Sequence, residues 1–375
     1  MSESNSLPIC VISDFFLGWT LASCKAFGIP RLVFHGMGVF SMAVSKIAWV
    51  QAEKFQMNTS SESDPLYLPG IEIPFVLTSA DLPEGVNVPC YDDPVPLFIL
   101  EVREAEFNSW GVVVNSFLEL EGNYVSSLES FYQNGSKAWC VGPLCLYDNS
   151  KERFDSSLDQ HQHEVIMKWL ARHTAPASVI FVSFGTQAQI THAQLDEVAY
   201  GLEEAGLPFL WVVRSNSWSL PDGMEERMEG KGLIIRQWVD QQAILGHSTI
   251  GGFLSHCGWN SVLESLSVGV PILAWPMMAE QALNAKLVVQ GLHVEVEVEK
   301  MQGSEAEVIV LREAIYRGVK ELMEGSKGRI AREKSQALRE VVKQAVEEGG
   351  SSYLSLTKLI DQLCAVSLAT DKSFN

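Results

Sequence analysis

Residues 238–281 read WVDQQAILGHSTIGGFLSHCGWNSVLESLSVGVPILAWPMMAEQ, and the order of residue types within them decides the fold. Ile250-Gly251-Gly252-Phe253-Leu254-Ser255 is a short, uncharged, mostly apolar strand signal with glycine near its entrance. After His256-Cys257-Gly258 an amphipathic helix runs through Val262, Leu263, Leu266 and Val268 and stops at Gly269 and Pro271. A helix that begins straight after a strand turns its N–H groups and positive dipole end toward the carboxyl edge of the sheet. That makes an anion site suited to a diphosphate. His256, Asn260 and Ser261 add side-chain donors there. Glu264 follows Asn260 by one turn on the same face, deep enough for its carboxylate to accept hydrogen bonds from ribose hydroxyls. Trp238 ends an apolar strand over 232–237 and offers a flat face to a base. Glu280 and Gln281 open the helix after a strand over 271–275 and can grip sugar hydroxyls.

Over its whole length this stretch resembles the donor-binding signature of plant secondary-product UDP-glycosyltransferases, the inverting family 1. The resemblance implies roles. Trp238 would stack on uracil, with Val239 and Gln241 at the base edge. His256, Asn260 and Ser261 would hold the diphosphate, Glu264 the ribose, and Trp259, Glu280 and Gln281 the sugar. Glutamine at the last position resembles enzymes that use glucose. Asp240 departs from the family, which often has proline there; the departure is expected to matter little, because backbone borders the base. Upstream, Ser178-Val179-Ile180-Phe181-Val182-Ser183-Phe184-Gly185-Thr186 resembles the family's first strand of the donor domain, with Thr186 on phosphate. Smaller echoes (Pro69-Gly70, Asp81-Leu82-Pro83, Asn115 to Glu121, Val141 to Leu144) extend the likeness over nearly the whole chain.

A chain of 375 residues suggests two domains, and 47% hydrophobic residues supply sizeable cores. The formal charge of −19 argues against nucleic acid as a partner, since phosphate contacts need clustered Lys and Arg. No long uncharged apolar run suggests a membrane span, and the start lacks a basic n-region, so a cytoplasmic, monomeric protein is expected. The seven cysteines show no CxxC pair, and no His/Asp/Glu cluster has metal-ligand spacing. The expected partners are a UDP-sugar and a small hydroxylated acceptor; UDP-glucose is a substrate, and no cofactor or metal is expected. The fold class is α/β, with two Rossmann-like domains of the GT-B type implied by the resemblance and the first incomplete. Residues 1–145 form the acceptor-side domain, 146–165 a linker and 166–350 the donor domain. Residues 351–375 carry a helix that in the family returns to the first domain.

The chain opens at a segment resembling a mid-domain strand of the family, which implies N-terminal truncation and the absence of the family's catalytic histidine. Asp14 matches the carboxylate that orients that histidine. His35, after a strand, is expected to line the acceptor pocket, and the strand at 9–13 to bare an apolar edge. Two other readings follow. The chain is an inactive UDP-sugar-binding fragment, or Gly36-Met37-Gly38-Val39-Phe40-Ser41 with Glu53 downstream marks a nicotinamide oxidoreductase.

Overall fold

The computed structural model describes residues 7–55, 64–84, 86, 94–132, 135–147, 157–298 and 309–371. The chain folds into two compact units, Met1–Tyr147 with Val341–Asn375, and Asp148–Glu340. The first unit alternates strands and helices: β1 (Val11–Asp14), α1 (Thr20–Ala26), β2 (Arg31–His35), α2 (Val39–Phe55), α3 (Pro94–Phe107), β3 (Gly111–Val114), α4 (Leu118–Glu129) and β4 (Lys137–Cys140). The strands pair in parallel in the order β1-β2-β3-β4. Parallel sheets hide both faces, and β3, Gly-Val-Val-Val, is buried at every residue. β1 is the edge strand, and apolar Ile12 is 57% exposed there.

Between β2 and α2 the sequence offered a dinucleotide turn. Glu121 of α4 fills it. The Val39 and Phe40 N–H groups donate to its carboxylate at 3.0 and 2.8 Å, and the Ser116 hydroxyl donates to it as well. Burial pushes the Glu121 carboxyl up, while these bonds pull it partly back. A helix start that already holds an internal carboxylate has no place for a pyrophosphate, so the nicotinamide reading fails on this contact. The side chain of Glu53 lies outside the described residues.

The second unit contains α5 (Ser157–Leu170), β5 (Val179–Ser183), α6 (His192–Ala205), β6 (Phe209–Val212), α7 (Met224–Arg227), β7 (Gly232–Ile235), α8 (Gln241–Leu245), β8 (Ile250–Ser255), α9 (Trp259–Val268), β9 (Ile272–Ala274), α10 (Gln281–Lys286), β10 (Glu295–Glu297), α11 (Arg312–Glu324) and most of α12 (Ser326–Val346). Its sheet is parallel, in the order β10-β9-β8-β5-β6-β7. The chain builds outward from β5 to β7, then returns to β8 and builds the other way. Such a sheet has its ligand crevice where the direction reverses, at the carboxyl ends of β5 and β8. Ile180, Val182, Leu254, Leu273 and Trp211 of the strands pack with Val198 and Leu202 of α6 and Ile315 and Val319 of α11 into one core. Local signals set the helix limits. The Thr191 side chain caps α6, and Gly206 and Gly269 end α6 and α9 in the left-handed conformation.

Two boundaries differ from those read in the sequence. Residues assigned to a linker over 146–165 include the start of α5 at Ser157, because its apolar positions, Ile166, Trp169 and Leu170, find a core to enter. Residues 148–156 lie outside the described ones. Residues 341–350, assigned to the donor domain, cluster with the first unit, since α12 runs through the boundary. The last helix, α13 (Ser351–Asp371), packs on β4 with Leu359 and Leu363 against Leu32, Val113 and Trp139. Ser352 donates to the Gly142 carbonyl and holds its start.

Candidate active site

The paired ends Ser183 and Ser255 bring two turns together. After β5 the chain passes through Gly185, at φ 74°, to exposed Thr186. After β8 it passes through His256 and Cys257, at φ 61°, to Gly258, the N-cap of α9. Glycine brings no side chain to cap the helix, so the anion-attracting start of α9 is left without an internal acceptor of that kind. The His256 ring is wedged between the two glycines. A Cβ on Gly185 would lie 2.7 Å from its Nε2, and one on Gly258 2.5 Å. Burial pulls the His256 pKa down to about 4, with the Ser183 carbonyl pulling the other way. At neutral pH the ring is therefore uncharged, a hydrogen-bonding group rather than a counter-ion, and its Nδ1 has no partner among the described residues.

This depression has a consequence for stability. The unfolded chain takes up a proton on His256 near pH 6.5 and the folded one only near 4, so folding stability contributed here is full above 6.5 and is lost as pH falls toward 4. The loss should amount to at most about 3 kcal/mol. Urea unfolding of the chain and of His256→Asn between pH 7 and 4 checks this: the variant should show the shallower decline, and parallel declines would refute the assignment.

The residues that resemblance assigns to base, ribose and phosphate meet across α8 and α9. Gln241 Nε2 donates to Ser261 Oγ at 2.9 Å and to Glu264 Oε2 at 2.6 Å. Asp240, expected to matter little, accepts from the Ala243 N–H at 3.0 Å and so caps the short helix that carries Gln241. The aspartate thus does locally what a family proline could not do with a side chain. Trp238 stands 48% exposed beyond β7, while Val239 beside it is buried. Trp259 is only 2% exposed, so its indole belongs to the interior and what it presents at the helix start is backbone. Asn260 is exposed.

On the other side, the loop after β9 passes through Ala279, at φ 51°, to Glu280, the N-cap of α10. Gln281 is buried, and its Oε1 accepts from the Met277 and Met278 N–H groups at 3.0 and 3.1 Å. With the carbonyl end so used, the NH₂ end is what Gln281 can offer a sugar. One neighbour escaped the sequence reading: Asn284, fully buried in α10, donates to Cys257 O at 3.0 Å. Its only signal was a polar residue set between apolar Leu283 and Ala285.

The donor-side residues all lie in the second unit. Asp14 is in the first, exposed at the carboxyl end of β1, where its Oδ1 accepts from the Phe16 N–H at 2.8 Å. His35 is buried. Its ring lies against Phe15, with centroids 4.4 Å apart, and its Nε2 is 3.1 Å from buried Glu106. Among the described residues no helix is long and apolar enough to cross a membrane.

Residues 156–326 match the family model described as UDP-glucoronosyl and UDP-glucosyl transferase. The scopoletin glucosyltransferase of Nicotiana tabacum is 39% identical over 369 residues, covering 96% of this chain and 76% of that protein. The anthocyanin 3'-O-beta-glucosyltransferase of Gentiana triflora is 39% identical over 373 residues, 95% of this chain and 76% of that one. Among solved structures, Phytolacca americana UGT2 complexed with UDP-2fluoro-glucose and pterostilbene superposes with a TM-score of 0.81 at 31% identity, over 96% of this chain and 77% of that one. Medicago truncatula UGT71G1 complexed with UDP-glucose gives 0.79 at 33%, over 95% and 75%. The chain thus spans about three quarters of the length of these relatives, and they lend no support to reading it as an inactive fragment. With its reversed parallel sheet and these relatives, this chain belongs to the UDP-glucoronosyl and UDP-glucosyl transferase family and is a UDP-glycosyltransferase of the GT-B fold.

Proposed function

We propose that the enzyme transfers glucose from UDP-glucose to a hydroxyl group of a small phenolic, flavonoid or terpenoid molecule, acting as a monomer in the cytosol. The observation that carries the donor half is the hydrogen-bonded trio Gln241, Ser261 and Glu264 beside His256, at the start of α9 and at the reversal of the sheet. Uracil stacks on Trp238 with Val239 and Gln241 at its edge, and ribose hydroxyls bond to Glu264. The diphosphate sits over the α9 start with His256, Asn260, Ser261 and Thr186. Glu280 and Gln281 hold the glucose, with Trp259 contributing from the first turn of α9. The relatives named for scopoletin and anthocyanin, and the solved relative complexed with pterostilbene, support an acceptor of the phenolic or flavonoid kind.

In the transfer the acceptor oxygen attacks the anomeric carbon from the face opposite UDP. A new C–O bond forms, the bond to the β-phosphate oxygen breaks, and that oxygen keeps the electron pair. The helix start and His256 stabilise the charge as it grows, which is where electrostatic catalysis contributes most. The hydroxyl proton passes to a base; in the family resemblance this is a histidine, and the residues of this chain match only the carboxylate that orients it, Asp14.

Calorimetric titration with UDP and with UDP-glucose tests the donor half. Glu264→Ala should weaken both ligands about tenfold or more, since a charged hydrogen bond is lost. Gln281→Glu keeps the two acceptor bonds to Met277 and Met278 but has no donor for the sugar. It should weaken UDP-glucose about tenfold and leave UDP unchanged. An equal loss for both ligands would refute the sugar assignment.

A further inference from the structure

Asn284 is placed to do more than fill the interior. Its Nδ2 carries two hydrogens, one directed to Cys257 O at 3.0 Å and the other to Glu280 Oε1 at 3.4 Å. The first partner belongs to the left-handed turn that leads into the α9 start. The second is the carboxylate beside Gln281 at the head of α10. No backbone bond replaces this tie: the helical bond from Asn284 N to Glu280 O would form with any residue in its place. The turn is also held from its own strand, where Ser255 Oγ accepts from the Cys257 N–H at 3.1 Å. Loss of the Asn284 amide therefore leaves the diphosphate turn supported and releases the Glu280 carboxylate from its tie to that turn.

We propose that Asn284 is a positioning residue for the transfer, one that fixes Glu280 relative to the diphosphate turn so that sugar and leaving group are gripped in a single rigid frame. The inference rests on the donor reading above. Asparagine suits the task because one nitrogen donates twice, to a carbonyl and to a carboxylate; aspartate could donate to neither at neutral pH. UDP lacks the sugar and so should be nearly indifferent to the tie, whereas UDP-glucose should sense it through Glu280.

The test is a double-mutant cycle on the full chain, read as the ratio of UDP-glucose affinity to UDP affinity by calorimetry. Asn284→Ala should lower that ratio about tenfold while UDP affinity changes less than about threefold. In a Glu280→Ala background the same substitution should change the ratio by less than about threefold, because the group it positions is gone. A purely structural role would weaken UDP and UDP-glucose alike and would act equally in both backgrounds; either result overturns the proposal. If Asn284→Ala does not fold, Asn284→Ser, whose hydroxyl cannot serve both partners, carries the same ratio measurement with the same outcomes. A parent chain that binds neither ligand would refute the donor reading itself. A parent that binds both, beside an unaltered ratio in the variant, would refute this inference alone.

Discussion

Gly258→Ala should bind UDP about a hundredfold more weakly than the parent chain while remaining folded. The added methyl would stand 2.5 Å from His256 Nε2 and 3.2 Å from both adjoining ring carbons, so the imidazole has to move. It cannot move toward Gly185, whose own open side is occupied by the same ring. The backbone is no obstacle to alanine, since Gly258 has φ −57° and ψ 139°, allowed for any residue. The substitution thus displaces one side chain without straining the turn. A displaced ring gives up its bond to the Ser183 carbonyl and shifts the two turns that frame the diphosphate. A crowded helix start also holds the phosphates less closely. Overpacking should cost the fold only about 1–3 kcal/mol, so thermal unfolding and UDP titration separate the two effects. UDP affinity within about threefold of the parent, in folded protein, would remove His256 from the diphosphate site.

Much of that site was legible because its signals are contiguous. The strand at 250–255, the helix ending at Gly269 and the polar residues between them are local features, and local features survive translation into structure. What escaped was the choice of partners. Nothing in the sequence separates an Asp240 that merely neighbours a base from one that caps α8, although aspartate directly before a helix is a capping signal. The Gln281 amide could have pointed its oxygen or its nitrogen at the sugar; the two N–H groups of Met277 and Met278 decide it. His35 illustrates the harder case. In a parallel strand buried on both faces, alternation carries no information about which face a polar residue takes. The direction of His35 is set by Glu106 of α3, a helix far along the chain from β2.

The same Glu106 supports the second large effect. It is 0% exposed, with Lys46 Nζ 2.5 Å from Oε2, the Tyr132 hydroxyl donating to Oε1 at 2.6 Å, and His35 beside it. Burial alone would raise its carboxyl, but Lys46 and His35 together hold it well below the usual carboxylate range. Glu106→Leu should therefore cost about 3–5 kcal/mol, because it strands the Lys46 ammonium in the interior. Lys46→Met should cost less in acid than at neutral pH. A depressed carboxylate contributes stability that is present above its unfolded pKa and lost as pH falls below it, so the parent's Glu106 contributes alike at pH 5 and pH 7. Without Lys46, burial dominates, the carboxyl favours its proton, and the contribution runs the other way: stability falls as pH rises above the carboxylate range. The double variant, Lys46→Met with Glu106→Leu, should recover most of the loss, since an ion pair replaced by apolar groups of similar volume is often neutral. It would still give up the Tyr132 hydrogen bond, about 1–3 kcal/mol. Urea unfolding of the four proteins at pH 5 and 7 decides the matter. Additive losses in the double variant, or a cost of Lys46→Met that is the same at pH 5 and pH 7, would show that the four groups are neighbours and not a coupled network.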